Sequence, residues 1–464
     1  MRIYFVGIKG WGMVNLCLLA QDLGYYVSGY DLPEKFPTDE YLKKRKIKYD
    51  TELSEKNIDR FAPDLVVYTG AHQGVNNLLV VYSKAKGIAV MHQSEFIRQL
   101  QDQFKQSVLI AGTHGKTTTT ALTAYCLTKL AKDIGYYVGT TEFSGLPAGA
   151  YLGNKFFVLE ADEYAVSPPV DLRIKLELYK YDYLLLPALD YDHPDIYKNF
   201  DEVLHTFKRY ILNFPDSRVY LNLTDSGVLQ LYQQIKSKHK HLSLISDNSD
   251  ADYRVADISY SEAGSCFKIL TASNEFSFNL KLYGEKNVYN SALVIALLFD
   301  LGFSYDQIKK SLESFSGLAR RLQYYGKTSD SRLIFDDYGH HPTEILAVNN
   351  ALKQCFGAVK KIVYVFQPHT FTRTFSLKKE FLKVFRQLDY LVLLPIFASA
   401  RETDTGLISS EELIKQLNDQ ERFFYAKDFY QALNRVKSLA NKTDIIVTIG
   451  AGEVYKLLPE LKRL

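Results

Sequence analysis

Cysteine is scarce in this chain of 464 residues. There are four, Cys17, Cys126, Cys266 and Cys355, and no two stand at CxxC spacing. That spacing excludes a cysteine zinc module and a disulfide framework, so the thiols are expected as reduced packing residues. Apolar runs of the roughly 18 residues that a spanning helix needs are also missing, which argues against a membrane partner. No concentrated basic stripe occurs, and 56 Lys and Arg against 53 Asp and Glu leave a net charge of only +3. A nucleic-acid partner is therefore not expected. The opening MRIYFVG is an apolar strand without the basic start and apolar core of a leader, and a cytoplasmic location is expected. What remains is ordinary globular material: 47% hydrophobic and 23% charged residues. The length is too great for one core and suggests about three domains.

The pattern along the chain is α/β. Strands are expected at Ile3 to Val6, in YYVSGYD ending at Asp31, in PDLVVYTGA at 63–71 and at Ile88 to Met91, with helical stretches between them. Such alternation implies a doubly wound parallel sheet. A second segment opens with SVLIAGTHGKTTTT and continues through the strands KFFVLEADE and YDYLLLPALDYDH. After about residue 215, the shorter stretches RVYLNL, LSLIS, CFKIL and FSFNLKL suggest an antiparallel part. A third segment, from RLIFDDYGHHPTE onwards, alternates regularly again and ends in a strand running into GAGEVYKLL.

The strongest chemical signal is Gly112-Thr113-His114-Gly115-Lys116-Thr117-Thr118 between an apolar strand and a helix. Glycines let backbone N–H groups turn inward, the helix N-terminus adds partial positive charge, and Lys116 can reach a terminal phosphate. The Thr117 hydroxyl is placed to ligate Mg2+. The spacing is two residues shorter than a standard Walker A. At the end of the next strand stands LEADE, where Glu160 is the expected ligand of a magnesium ion bridging nucleotide phosphates. ALDYDHPDIY follows another buried strand, and His193 there could touch a second metal or the phosphoryl group in flight. Near the N-terminus, Gly7-Ile-Lys-Gly10-Trp-Gly12 is followed by Asp31 nineteen residues after Gly12. The glycines read GxxGxG rather than GxGxxG, so the turn suits any diphosphate; an NAD-dependent dehydrogenase is the remote alternative. In the third segment, His340, His341, His369 and Arg373 lie at expected strand exits, and Arg373 could hold a carboxylate bidentately.

These motifs together resemble the Mur ligase family over essentially the whole chain: GxxGxGM, GTHGKTTTT, EADE, DH with a following acid, ARR, DDYGHHPTE, FQPHTFTRT and ARETDTG at 400–406. The resemblance implies a Rossmann-like UDP-sugar domain (1–106), a central P-loop ATPase domain with a mixed sheet (107–319) and a Rossmann-like amino-acid domain (320–464). It implies ATP and Mg2+ as cofactors, with Lys116, Glu160 and His193 catalytic and Thr117, Glu160 and His193 at the metal. Asn287, Arg321 and Asp337 would join residues 112–118 in binding ATP, and Gly10, Gly12 and Asp31 would bind the UDP-sugar. Tyr338, His340, His369 and Arg373 would shape the amino-acid end. DDYGHHPTE and FQPHTFTRT resemble the branch that ligates L-alanine to UDP-N-acetylmuramate through an acyl phosphate. The DEY after EADE, and the 33 positions from Glu160 to His193, resemble instead the branch that attaches a recycled peptide. A monomer or homodimer that closes its third domain over the second during turnover is expected.

Overall fold

The computed structural model describes residues 1–398 and 406–464. ARETDTG, except for its last glycine, lies outside the described residues. The chain forms two compact units. One comprises Met1–Ile258, Cys266–Asn279 and Asn287–Ser316; the other comprises Ser259–Ser265, Leu280–Lys286 and Gly317–Leu464. Among the described residues, no helix is long and apolar enough to cross a membrane.

The first unit begins with β1 (Arg2–Val6), β2 (Tyr26–Tyr30), β3 (Tyr49–Asp50), β4 (Leu65–Tyr68) and β5 (Ala89–His92). They form a five-stranded sheet in the order β3-β2-β1-β4-β5, and all four pairs are parallel. The register sets Val6 level with Tyr30 and Tyr68, and Tyr68 level with His92. The loops after these strands therefore leave from one edge, and the order reverses between β1 and β4, where ligands of such sheets sit.

The second sheet is built from β6 (Gln106–Ile110), β7 (Ile134–Phe143), β8 (Leu146–Tyr151), β9 (Phe156–Glu160), β12 (Tyr183–Leu186), β13 (Arg218–Asn222), β14 (Leu242–Ser246), β15 (Tyr253–Ser261), β16 (Gly264–Leu270) and β17 (Glu275–Leu280). A separate antiparallel hairpin, β10 (Ala165–Ser167) with β11 (Asp171–Ile174), stands apart from it. The ten strands run β17-β16-β15-β14-β13-β12-β6-β9-β7-β8. The sheet is mixed, as expected, but the parallel part reaches further than the sequence pattern suggests. RVYLNL and LSLIS pair in parallel with their neighbours, and β15 continues parallel to β14. Short strand length is a poor guide to direction, because parallel and antiparallel strands share the same period of two. The antiparallel hairpin β7–β8 has no counterpart among the expected strands; its glycines and tyrosines mask the apolar alternation.

One apolar core runs through both sheets of this unit, from Ile3, Phe5 and Leu16 to Leu109, Phe157 and Leu159. The helix Trp11–Asp22 docks on the β7–β8 hairpin. Asn15 Nδ2 donates to the carbonyls of Val138 (3.0 Å) and Thr140 (2.6 Å). A Cβ at Gly149 would run into the Asn15 carbonyl oxygen. The first glycine turn and the second sheet are thereby held in fixed relation.

The second unit carries β18 (Gln323–Lys327), β19 (Leu333–Asp337), β20 (Ile362–Phe366), β21 (Tyr390–Leu393), β22 (Phe423–Tyr425) and β23 (Ile445–Ile449). Their order is β18-β19-β23-β20-β21-β22, with β18 antiparallel to β19 and the other pairs parallel. Asp337 and Phe366 are both level with Ile449, so Asp337, Gly450 and Gln367 sit at or just past one carboxyl edge.

Candidate active site

Parallel pairing of β6 with β9 and β12 puts Ile110 level with Glu160 and Leu185. The segments that leave those strands therefore meet. After Ile110 the chain turns through Ala111–Gly115 into the helix Lys116–Leu130. Gly112 has φ +124°, and a Cβ there would strike the Ala188 carbonyl oxygen; Gly115 has φ +81°, with the Asn290 amide 2.8 Å from where its Cβ would lie. No residue with a side chain fits either place without displacing a neighbour. The strand exit at 187–190 braces the loop: Thr113 N donates to Ala188 O (2.9 Å), and the Asp190 N–H donates to Thr113 Oγ1 (3.0 Å). Position 188, alanine here, thus contributes through its backbone. Asn287 lies in the first turn of the helix Glu285–Asp300, and its Oδ1 accepts from Asn290 Nδ2 (3.3 Å).

Lys116 points back into its own loop. Its Nζ donates to Gly112 O (2.5 Å), to Thr113 O (3.3 Å) and to Glu163 Oε2 (2.7 Å). Burial works against its charge, but the carboxylates of Glu163, Asp162 and Glu160 outweigh it and hold the lysine above its ordinary pKa. Thr117 Oγ1 donates to Glu160 Oε1 (2.8 Å), while Glu160 Oε2 accepts the Gly139 N–H (2.7 Å). His193 takes the left-handed backbone conformation, φ +61°, at the turn after β12. Its Nε2 lies 3.8 Å from Glu163 Oε1 and 3.6 Å from Asp192 Oδ2, and its ring packs at 4.7 Å on Tyr164.

The structure thus joins Thr117 to Glu160 and sets His193 beside Glu163. Asp162, Glu163 and His193 offer ligand atoms within 4.8 Å of one another. Glu163 is 2% exposed, and its Oε1 is buried without a hydrogen-bond partner. An orphaned carboxylate oxygen beside a second carboxylate and an imidazole fits a divalent cation. Asp162 and Glu163 are functional candidates that the sequence reading passes over in favour of Glu160. The signal was present in LEADE, but only the fold shows that Glu163 keeps one buried carboxylate oxygen without a hydrogen bond.

The first glycine turn is closed by its own polar groups. Gly7 N donates to Tyr30 O (2.9 Å), and the Lys9 N–H donates to Asp31 Oδ2 (2.7 Å). Asp31 Oδ1 accepts from Leu32 N (2.8 Å), and His72 Nε2 lies 3.5 Å from it. Asp31 therefore braces this turn. Gly10 caps the helix Trp11–Asp22. Gly12 is required by packing, since its Cβ would lie 2.5 Å from Tyr137 Oη.

In the second unit, Asp337 ends β19 and accepts the N–H groups of Leu322 and Gly339, each at 2.6 Å. Burial pushes its carboxyl up to about 6, partly opposed by Arg321. Arg320 and Arg321 lie over the Tyr338 ring at 5.0 and 5.3 Å. The His340 ring lies 5.7 Å from Tyr338 and 5.9 Å from His369. Arg373 sits on the helix Phe371–Ser376, directly after the His369 strand exit. His341 has the plainer role: it caps the helix Pro342–Phe356, with Glu344 answering from the third position. Gln367, absent from the expected set, holds the last glycine turn through Glu453 N (2.7 Å).

The family models described as Mur ligase family, catalytic domain, Mur ligase middle domain, and Mur ligase, glutamate ligase domain match residues 2–105, 110–298 and 320–452. Relatives named UDP-N-acetylmuramate–L-alanine ligase include one from Acetivibrio thermocellus, 34% identical over 98% of this chain and 94% of its own. Another, from Clostridium acetobutylicum, is 34% identical over 98% and 96%. Among solved structures, the UDP-N-acetylmuramate-alanine ligase MurC of Thermotoga maritima superposes with a TM-score of 0.77 at 24% identity, covering 99% of this chain and 98% of its own. A murein peptide ligase from Psychrobacter arcticus gives 0.68 at 23%, covering 100% and 99%. The fold is the three-domain one these proteins share, and the chain belongs to the Mur ligase family.

Proposed function

We propose that the protein is an ATP-dependent ligase that joins L-alanine to UDP-N-acetylmuramate through an acyl phosphate, in the cytoplasmic synthesis of peptidoglycan precursors. Identity of 34% with named alanine ligases along nearly the full chain supports this reading. The observation that carries the chemistry is Lys116 on its glycine loop, facing the buried Glu163. That pair keeps a cation in place for phosphate and a carboxylate in place for metal.

In the first step, an oxygen of the sugar's lactyl carboxylate attacks the γ-phosphorus of ATP and ADP leaves. In the second, the amine of alanine attacks the acyl carbon, phosphate leaves with its electron pair, and the amine gives up a proton. Lys116 swings from Glu163 to the transferring phosphoryl group and spreads its charge, the main contribution a protein makes to such a transfer. Asp162, Glu163 and His193, with Glu160 and Thr117 beside them, would hold Mg2+, which when bound supplies positive charge to the phosphates. We assign residues 1–106 to the UDP-sugar with the turn at Gly10, Gly12 and Asp31, 107–319 to ATP, and 320–464 to the amino acid. Asn287, Arg321 and Asp337 contact the nucleotide, and Tyr338, His340, His369 and Arg373 shape the alanine end.

The 160–193 stretch, with its β10–β11 hairpin, favours a second reading, attachment of a recycled peptide to the same sugar. Mass analysis of products from ATP, UDP-N-acetylmuramate and a panel of alanine, glycine, serine and a cell-wall tripeptide tests both. Product with alanine well above the others is expected. Product with the tripeptide alone would replace the alanine reading with the second.

A further inference from the structure

Between Glu160 and His193 the chain makes an excursion that the phosphate loop does not require. The hairpin of β10 and β11 leaves the acidic turn at Asp162–Glu163 and packs on the first 106 residues. At Gly70 and Gly74, a Cβ would lie 3.3 Å from Ser167 Oγ. Arg173, on β11, reaches Glu95 at 2.8 Å. The chain then returns, and Lys175, the first residue after β11, ends beside the acidic turn. Its Nζ donates to Asp162 Oδ2 at 2.8 Å and stands 5.3 Å over the Tyr164 ring, which packs on His193. Lys175 is 16% exposed, whereas Asp162 is 42% exposed.

Two lysines therefore flank the acidic turn. Lys116 holds Glu163 from the nucleotide loop, and Lys175 holds Asp162 from an arm fixed to the sugar-binding residues. Transfer of phosphate to a carboxylate brings two anions together, and each needs a cation near it to do so. An ammonium has three donors, and the Asp162 carboxylate occupies one of those of Lys175. A further polar group belongs to the same sheet edge. The buried His92, level with Tyr68, meets Ser94 through Nδ1, at 3.2 Å from its N–H and 2.6 Å from its Oγ, and its Nε2 has no hydrogen-bond partner.

We propose that Lys175 binds the carboxylate of the acid substrate and holds it for attack on the γ-phosphate, with the β10–β11 hairpin as its positioning arm. This rests on the ligase reading above. It gives the long 160–193 stretch a role on the acid side of the reaction, independent of which amine follows.

The test compares two nucleotide sugars that differ at the lactyl carboxylate: UDP-N-acetylmuramate and UDP-N-acetylglucosamine. Calorimetric titration of the full-length wild type, Lys175→Met and Lys175→Arg is the measurement. Losing a charge-assisted hydrogen bond should weaken UDP-N-acetylmuramate about tenfold or more in Lys175→Met. The sugar without the carboxylate, and ATP, should stay within about twofold, and Lys175→Arg should recover most of the loss. Equal weakening of both sugars, no weakening of either, or an equal loss of ATP affinity would overturn the role. A wild type that binds the two sugars alike would instead sink the ligase reading itself, and Lys175's role with it.

Discussion

The phosphate-loop site and the site at the carboxyl edge of the last sheet are built from different materials. Around Lys116 the groups are two ion pairs, Lys116 with Glu163 and Lys175 with Asp162, and a hydroxyl bonded to a carboxylate, Thr117 with Glu160. At Asp337 and Tyr338 they are rings under guanidinium groups, a carboxylate bound by backbone N–H groups, and a histidine spent on a helix cap. The first arrangement suits a step in which negative charge moves between oxygens. The second suits recognition of a small ligand by shape and a few donors. In the function proposed above, charge would carry the chemistry and aromatic packing the choice of partner.

Breaking the charged half should cost most. Lys116→Ala should lower ATP-dependent ligation by about a thousandfold in a coupled ADP assay, because nothing else on the loop replaces its charge. UDP-sugar affinity should stay within about twofold, and surviving ligation would remove the lysine from its role. Glu163→Gln should raise the Mg2+ concentration for half-maximal rate about 10- to 100-fold. An unchanged metal dependence would leave Glu160 as the acid that matters. On the other side, Arg373→Ala should raise the alanine KM about tenfold while changing kcat much less, since a lost carboxylate contact affects binding first. A fall in kcat alone would place Arg373 in the chemistry.

The smallest effect separates the two regions by pH. Asp337 keeps its proton up to about 6, whereas an unfolded chain releases it near about 4. The folded protein therefore binds more protons between those values, and this group's contribution to stability falls as pH rises through the window. Urea unfolding from pH 4 to 7 should show that decline in the wild type and a flatter profile in Asp337→Asn. Parallel profiles would mean that the buried carboxylate is already ionised at the low end.

Much of this was legible in the sequence, and the reasons differ by region. The glycine loop is local: strand, glycines, lysine and helix follow one another within a dozen residues, so its strand–turn–helix form reads from order alone. The parallel strands of the first and last segments read equally well, because buried strands such as IVYVF and IIVTI are nearly continuous apolar runs, whereas RVYLNL and LSLIS read as antiparallel and pair in parallel. The choice among Glu160, Asp162 and Glu163 was not legible, since three acids on one turn differ only in what faces them. Gly12 looked like a ligand glycine, and the structure adds a packing demand that the sequence did not show, from Tyr137, 125 positions away. The hairpin β10–β11 and Lys175 were visible only as an unusual length, because their partners Gly70, Gly74 and Glu95 lie far off in the chain.

The proposed ligation passes through an acyl phosphate, and one isotope measurement addresses that intermediate directly. UDP-N-acetylmuramate labelled with ¹⁸O in the lactyl carboxylate is turned over with ATP and alanine, and the released phosphate is weighed by mass spectrometry. Transfer of one carboxylate oxygen to each phosphate is the predicted result, because the oxygen that attacks phosphorus leaves with it when the amine arrives. Phosphate free of label, with ligated product formed, would contradict the mechanism.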